Sequence, residues 1–280
     1  MKKITLMILA ISTAFSGIAQ MQTPAPSPSA TMKQMVGLTE VEVNYSRPSM
    51  RGRTIFGDLV PYGNLWRTGA NANTTVNFSD NVTIGDQELK AGSYAVFTKP
   101  AADQWEVIFY SDTSNWGTPA KWDESKVAAR AMVPVVKVPG AVETFTITLD
   151  NVSNNSASLG MWWENTYAAV SFGVPTRDKA MKSIEAAMAG PSGNDYFSAA
   201  SYYFQEGVEM EKAKEWIDKA VDMNPDAFWM SRQQSLIYAR MGDTKGAIAA
   251  AQKSLAAAQK AGNADYVKMN QESLKEWGAM

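Results

Sequence analysis

This chain of 280 residues contains neither cysteine nor histidine. Without cysteine no disulfide can form, so a folded unit must be stabilised by burial. Without histidine there is no Ser-His-Asp or Cys-His nucleophile system and no His-ligated zinc site. Catalysis would have to use carboxylates, lysine, tyrosine or serine. These absences favour a protein that is not an enzyme, although they leave the question open.

An excess of basic charge is also missing, because 26 lysine and arginine residues stand against 28 aspartate and glutamate residues. Nucleic acid is therefore not an expected partner, since binding to a phosphate backbone needs a dominant basic surface. Beyond the N-terminus no stretch approaches the roughly 20 apolar residues of a membrane-spanning helix. We expect no membrane span.

The N-terminus has the order of a secretory signal peptide over residues 1–19. Two lysines precede an apolar run at 4–15 and a small-residue cleavage site, with cleavage expected near Ala19. This pattern predicts a periplasmic or secreted protein. Residues 20–36 contain three prolines among small polar residues, which predicts a flexible leader.

The spacing of apolar residues divides the rest of the chain, residues 37–280, into two domains. Over residues 37–175 apolar and polar residues alternate in short runs such as Val41, Val43 and Tyr45, and turn signals such as Pro139-Gly140 separate the runs. Short strands without intervening helices predict an antiparallel β-sandwich or open barrel.

Residues 176–280 are rich in alanine, glutamate, lysine and methionine, and their period is helical. Small residues at Ala213 and Ala220 and a proline at 225 fit the 34-residue spacing of the tetratricopeptide repeat. We predict an α+β protein whose β domain is followed by a tetratricopeptide-like (TPR-like) helical hairpin array, with a surface for a protein partner. Its helices are predicted near 177–189, 194–206, 209–223, 227–241, 244–261 and 264–277.

The segment at 44–77 concentrates the features of a binding loop. It has four arginines but one acid, Asp58, in a chain that is otherwise slightly acidic. Guanidinium groups bind carboxylates and phosphates through paired N–H donors, which predicts a site for an anion or a sugar. The other interpretation is that each arginine pairs with an acid such as Asp58 or Glu42 and fastens the loop to the sheet. The arginines are Arg47, Arg51, Arg53 and Arg67.

Aromatic and amide side chains complete the candidate site. Trp116 and Trp122 lie in a loop where no strand period demands burial, so either could form a sugar platform. Asn71 and Asn73 would add polar recognition. We predict no metal ion and no cofactor, because no run of ligands resembles a calcium loop. The predicted binding residues are Tyr45, Arg47, Arg53, Trp66, Arg67, Asn71 and Trp116.

Three sequence stretches resemble the DUF2911 family of exported, Bacteroidetes-type proteins. They are NYSRPSMRGRTIFGDLVPYGNLWRTGAN at 44–71, GDQELKAGSYAVFT at 85–98 and WEVIFYSDTSNWG at 105–117. The resemblance covers about residues 35–175 and implies an exported domain, often with a tetratricopeptide-like tail, but no established activity. The matching signature positions are Tyr45, Ser46, Arg47, Pro48, Gly52, Arg53, Phe56, Gly57, Pro61, Tyr62, Gly63, Trp66, Arg67, Thr68, Gly69, Ala70 and Asn71.

These observations support a non-catalytic periplasmic binding or assembly module. Its arginine-rich pocket would take an anionic small molecule or glycan, and its helical region would contact a protein. One alternative is a carboxylate-based hydrolase that acts on envelope polysaccharide. A second alternative is that the arginine cluster is purely structural. The acids available to a hydrolase are Asp58, Asp112, Asp123, Glu124 and Glu164.

Overall fold

A computed structural model describes residues 23–280. The signal peptide expected at 1–19 lies outside these residues. Between Val174 and Pro175 the chain divides into two compact units, the first built on a sheet and the second on helices. Within the described part of the chain, no helix combines the length and the apolar composition that a membrane span requires.

The first unit is one antiparallel sheet of nine strands. In chain order the strands are β1 (Ser29–Val36), β2 (Thr39–Ser46), β3 (Thr75–Phe78), β4 (Val82–Ile84), β5 (Gln87–Leu89), β6 (Gly92–Pro100), β7 (Gln104–Tyr110), β8 (Val127–Asp150) and β9 (Ser156–Gly173). Their order in the sheet is β1-β2-β3-β6-β7-β8-β9-β4-β5. A single turn of 3-10 helix, Glu124–Lys126, precedes β8.

Strand β1 corrects one expectation from the sequence. It pairs with β2 along its whole length, with Ser29 opposite Ser46 and Val36 opposite Thr39. The prediction of a flexible leader is therefore wrong for residues 29–36. An edge strand is held by backbone hydrogen bonds to its neighbour, so it forms even where the side chains show no strong apolar period.

The two ends of the sheet share one hydrophobic core. Phe78 of β3 lies 5.4 Å from Phe172 of β9, and Tyr45 of β2 lies 6.0 Å from Phe145 of β8, measured between ring centroids. Strands that are distant in the sheet order therefore face each other. The apolar members of the alternating apolar and polar pattern are therefore the residues on the inner face of the sheet.

The long connection between β2 and β3 is fastened to this core through Trp66. Its indole lies 5.9 Å from that of Trp163 with an interplanar angle of 17°, and it also contacts Phe145 at 5.3 Å. Its backbone exchanges two hydrogen bonds with Thr98, at 2.7 and 2.9 Å. Because Trp66 is fixed in both ways, the position of Arg67 beside it is determined by the core.

The second unit consists of helices at the positions that the sequence predicts. Each observed boundary lies within about two residues of its prediction, because Ser192, Asp243 and Asn263 cap helix N-termini and Gly207 ends a helix at φ 67°. The helices are α1 (Thr176–Ala187), α2 (Gly193–Glu206), α3 (Met210–Met223), α4 (Phe228–Arg240), α5 (Thr244–Lys260) and α6 (Ala264–Glu276).

Candidate functional site

Arg47 fastens the β2–β3 connection to β8. Its Nε donates to the carbonyl oxygen of Phe145 at 3.1 Å, and its Nη2 donates to Thr146 Oγ1 at 2.7 Å. Charge-assisted hydrogen bonds of this kind stabilise a fold by about 1.5–3 kcal/mol. The contacts of Arg47 are therefore structural, but its partners are not acids.

Arg51 and Arg53 also bond to backbone carbonyls. Arg53 closes its own turn, with Nε donating to Met50 O at 2.8 Å and Nη2 to Ser49 O at 2.7 Å. Arg51 Nη2 donates to Pro26 O at 3.0 Å. Across residues 23–280, none of the four arginines of the loop forms an ion pair with a carboxylate.

Arg67 differs from the other three arginines. The side chain is half-buried, yet among the described residues its guanidinium has no hydrogen-bond or ion-pair partner. It lies directly against the loop at 112–117, because a Cβ added at Gly117 would be 2.7 Å from Arg67 Nη1. Gly117 also has φ 99°, which favours glycine. The site therefore contains a cation that has lost part of its hydration without gaining an acceptor.

Asn73 supplies a second set of unpaired polar atoms beside the same loop. The residue is 6% exposed, and within the described chain neither its Oδ1 nor its Nδ2 has a hydrogen-bond partner. Its backbone N–H donates to Asn115 O at 3.4 Å. An unsatisfied buried amide group destabilises a protein by about 1–3 kcal/mol. Because the unpaired Asn73 amide lowers the stability of the fold, its presence must be explained by something other than stability.

The backbone between Arg67 and Asn73 is strained. Thr68 has φ 55° and Asn71 has φ 59°, and the conformation is unusual for a β-branched residue such as threonine. Two bonds hold the segment, from Thr74 Oγ1 to Thr68 O at 2.5 Å and from Trp66 Nε1 to Gly69 O at 3.1 Å. Strain of about 1–3 kcal/mol per residue is characteristic of ligand clamps and other functional segments.

The loop at 112–117 is itself organised by Asp112. Its Oδ2 accepts from Lys126 Nζ at 2.7 Å, and its Oδ1 accepts from the Ser114 hydroxyl at 2.6 Å. Both contacts, that with Lys126 foremost, hold the pKa of Asp112 well below its usual range. Trp116, beside Gly117, is 77% exposed. The loop thus presents an exposed indole at the residue before Gly117, which lies against Arg67.

The structure places the other predicted residues elsewhere. Tyr45 lies in the core, 7% exposed. Asn71 Nδ2 donates to Ser27 O at 3.2 Å and to Ser46 Oγ at 3.3 Å, so it fastens the chain that precedes β1. Trp122, the second platform candidate, stacks on Tyr110 at 4.5 Å. Of the predicted set, Arg67 and Trp116 therefore meet at one loop, and Asn73 joins them.

Two of the acids considered for hydrolysis, Asp123 and Glu124, make local contacts. Asp123 Oδ1 accepts from the Ser125 hydroxyl at 2.7 Å, which lowers the pKa of Asp123, and Glu124 pairs with Arg130. A general acid requires a raised carboxyl pKa. In residues 23–280 no group of three or more acidic side chains gathers in a geometry that could hold a metal ion.

The fold and site define a two-part α+β protein in which an arginine without a partner among residues 23–280 lies beside a loop of the sheet unit. The chain belongs to the DUF2911 family, described as a protein of unknown function, whose model matches residues 27–172. No curated protein matches the chain. Protein BPP2914 from Bordetella parapertussis, known from a solution structure, is 24% identical over 35% of this chain and 85% of its own, with a TM-score of 0.31.

Proposed function

We propose that the sheet unit binds an anionic small molecule or an acidic glycan at Arg67. The observation that supports this function is the half-buried guanidinium, which has no partner within the described part of the chain. A carboxylate would accept two N–H bonds from it and replace the hydration that burial has removed. Planar recognition of this kind is specific to arginine, so lysine should be a poor substitute.

The surrounding groups extend the recognition beyond charge. The Asn73 amide offers one acceptor and two donors, which match the hydroxyl and carboxylate groups of a sugar acid. Since those atoms are covered, a ligand reaches them only if the surrounding chain moves. The Asn73 backbone N–H donates to Asn115 O of the neighbouring loop at 3.4 Å. Trp116 would then lie over the apolar face of the ligand.

A thermal-shift screen of residues 20–280 against uronic acids, dicarboxylates and phosphates tests this function. A ligand that binds only the folded state at about 100 times its Kd stabilises it by about 2.7 kcal/mol. We expect a shift that is lost in Arg67→Met and kept in Arg53→Met, because Arg53 is an exposed arginine that bonds only to its own turn. No shift with any anion, or equal shifts in both variants, would contradict the proposal.

The helical unit supports a second function, contact with a protein. Trp229, Arg232 and Gln233 share one face of α4, and Trp229 is 41% exposed. Within the described chain, Arg232 Nη1 and Gln233 Nε2 are buried donors without acceptors, and burial lowers the pKa of Arg232. We propose that this TPR-like unit binds a partner protein at the surface of α4 around the exposed Trp229.

Photo-crosslinking from position 229 in cells tests this contact, with position 253 on the exposed side of α5 as the matched control. We expect one discrete adduct from position 229, reduced in Arg232→Met, and none from position 253. Export is part of the same proposal. N-terminal sequencing of the mature protein should begin at Gln20, whereas an intact Met1 would exclude cleavage.

A further inference from the structure

The outer face of β8 and β9 carries a second group of polar and aromatic side chains. Residues 142–150 of β8 pair with the first part of β9, with Thr146 opposite Trp162, Thr148 opposite Gly160 and Asp150 opposite Ser158. Directly opposed residues lie on the same face of a sheet, and alternate residues share it. The intervening residues Phe145, Ile147, Met161 and Trp163 are in the core. The paired set therefore faces away from the core.

The second half of β9 also contributes side chains to this surface. Tyr167 lies 4.3 Å from Trp162 between ring centroids, and Ser171 Oγ lies 3.0 Å from Ser158 Oγ. Contacts between residues so far apart in one extended segment require the chain to reverse, and Glu164, with φ 54°, lies at that reversal. Trp162 and Tyr167 are both half-buried, and Ser171 is exposed. Solvent therefore reaches this face.

A continuous network of hydrogen bonds organises the face. Trp162 Nε1 donates to Thr148 Oγ1 at 3.2 Å, and Thr148 Oγ1 donates to Asp150 Oδ2 at 2.6 Å. Tyr167 Oη donates to the same oxygen at 2.8 Å, and desolvation together with this bond raises the pKa of Tyr167. Asp150 Oδ1 has no partner in the described chain. One acceptor therefore stays free beside two oriented rings.

Gly160 makes this arrangement possible. A Cβ at this position would lie 2.5 Å from Thr148 Oγ1 and 2.8 Å from Tyr167 Cε2, and it would also collide with Asp150 Oδ2. Three side chains thus converge over a residue that has none.

Arg47 completes the face at the other end. Its Nη2 donates to Thr146 Oγ1, while within residues 23–280 its Nη1 has no partner. Four residues separate Thr146 from Asp150, a distance of about 13 Å along a strand. One positive and one negative group at this separation cancel in net charge. The surface thus suits an uncharged ligand with hydroxyl groups at both ends.

We propose that this face binds a neutral oligosaccharide. The C–H face of a sugar ring would lie on Trp162 and Tyr167, with hydroxyls donating to Asp150 Oδ1 and accepting from Arg47 Nη1. The carboxylate of Asp150 disfavours an anionic ligand here, which separates this site from that of Arg67. The proposal does not depend on the function of Arg67.

Native affinity electrophoresis tests the proposal, with the folded protein run through gels that contain xylan, mannan, dextran or mixed-linkage β-glucan. We expect retardation by at least one of these polysaccharides. Affinity should fall at least tenfold in Trp162→Ala and in Asp150→Asn, the second of which keeps the side-chain shape if the first fails to fold. Relative to a gel without polysaccharide, Arg67→Met and Trp116→Ala should be retarded as much as the unchanged protein is.

Two results would overturn the proposal. One is unretarded migration in all four gels. The other is retardation that is the same in folded Asp150→Asn and Trp162→Ala as in the unchanged chain, which would make the network purely structural. If Arg67→Met abolishes the thermal shift with anions, the retardation by polysaccharides is unaffected. The two proposed sites are therefore tested independently.

Discussion

Replacing Asn73 with leucine should stabilise the sheet unit. The two side chains have the same branched shape, so the change replaces an amide whose Oδ1 and Nδ2 have no partner in the described chain by two methyl groups. Removing an unsatisfied buried amide contributes about 1–3 kcal/mol. The slightly larger leucine costs about 1 kcal/mol of overpacking. We expect the free energy of unfolding to rise, by up to about 2 kcal/mol.

Urea unfolding and calorimetry of the variant measure this change. Each kcal/mol corresponds to about 2–4 °C in Tm for a unit of this size. Asn71→Leu is the matched control, because Asn71 has φ 59° and its Nδ2 bonds to Ser27 O and Ser46 Oγ. The control should lose about 1–2 kcal/mol, since it gives up bonds and places a branched residue in a left-handed conformation.

The sign of the change in the free energy of unfolding shows whether the Asn73 amide is unsatisfied. A destabilisation of more than about 1 kcal/mol in Asn73→Leu would mean that the amide is satisfied, for example by an internal water. Asn73 would then no longer support a ligand site. If stability rises and anion binding falls together, Asn73 is retained at a cost in stability, as is common for functional residues.

Three further predictions concern the same unit. Gly69→Ala should lower the free energy of unfolding by about 2–4 kcal/mol in urea, because Gly69 has φ 148° and an added Cβ would lie 3.0 Å from a backbone oxygen. Arg47→Met should cost about 2 kcal/mol in the same assay and Arg67→Met less than about 1 kcal/mol, since only Arg47 has acceptors in the described chain; equal losses would contradict the distinction. The fold lowers the pKa of Asp112, so its contribution is complete above the unfolded value near pH 4 and is lost below it. The stability difference from Asp112→Asn should therefore be constant from about pH 5 to 7 and shrink below about pH 4.

Local patterns predicted the elements of this protein well. The helices of the second unit end at glycine and proline signals, and Val41, Val43 and Tyr45 alternate into the core. The strand at 29–36 could not be found in the same way, because its stability comes from the edge of β2 and not from its own side chains.

The candidate site was only partly predictable. The charge imbalance drew attention to the four arginines, but nothing in the residue types separates Arg67 from Arg47. Their difference depends on Phe145 and Thr146, which are almost 100 residues away and happen to lie beside Arg47. In the same way, Trp116 and Trp122 are equivalent in the sequence, and only Tyr110 makes one of them a packing residue.

The sequence by itself determined the two-part layout, the helices, most of the strands and the membership of the DUF2911 family. Each of these depends on near neighbours or on a motif. The tertiary structure alone decided which polar groups find partners and which do not. Satisfaction of a hydrogen bond is a matter of a few ångströms between distant parts of the chain, so Arg67, Asn73 and the network over Gly160 emerge only once the strands are assembled.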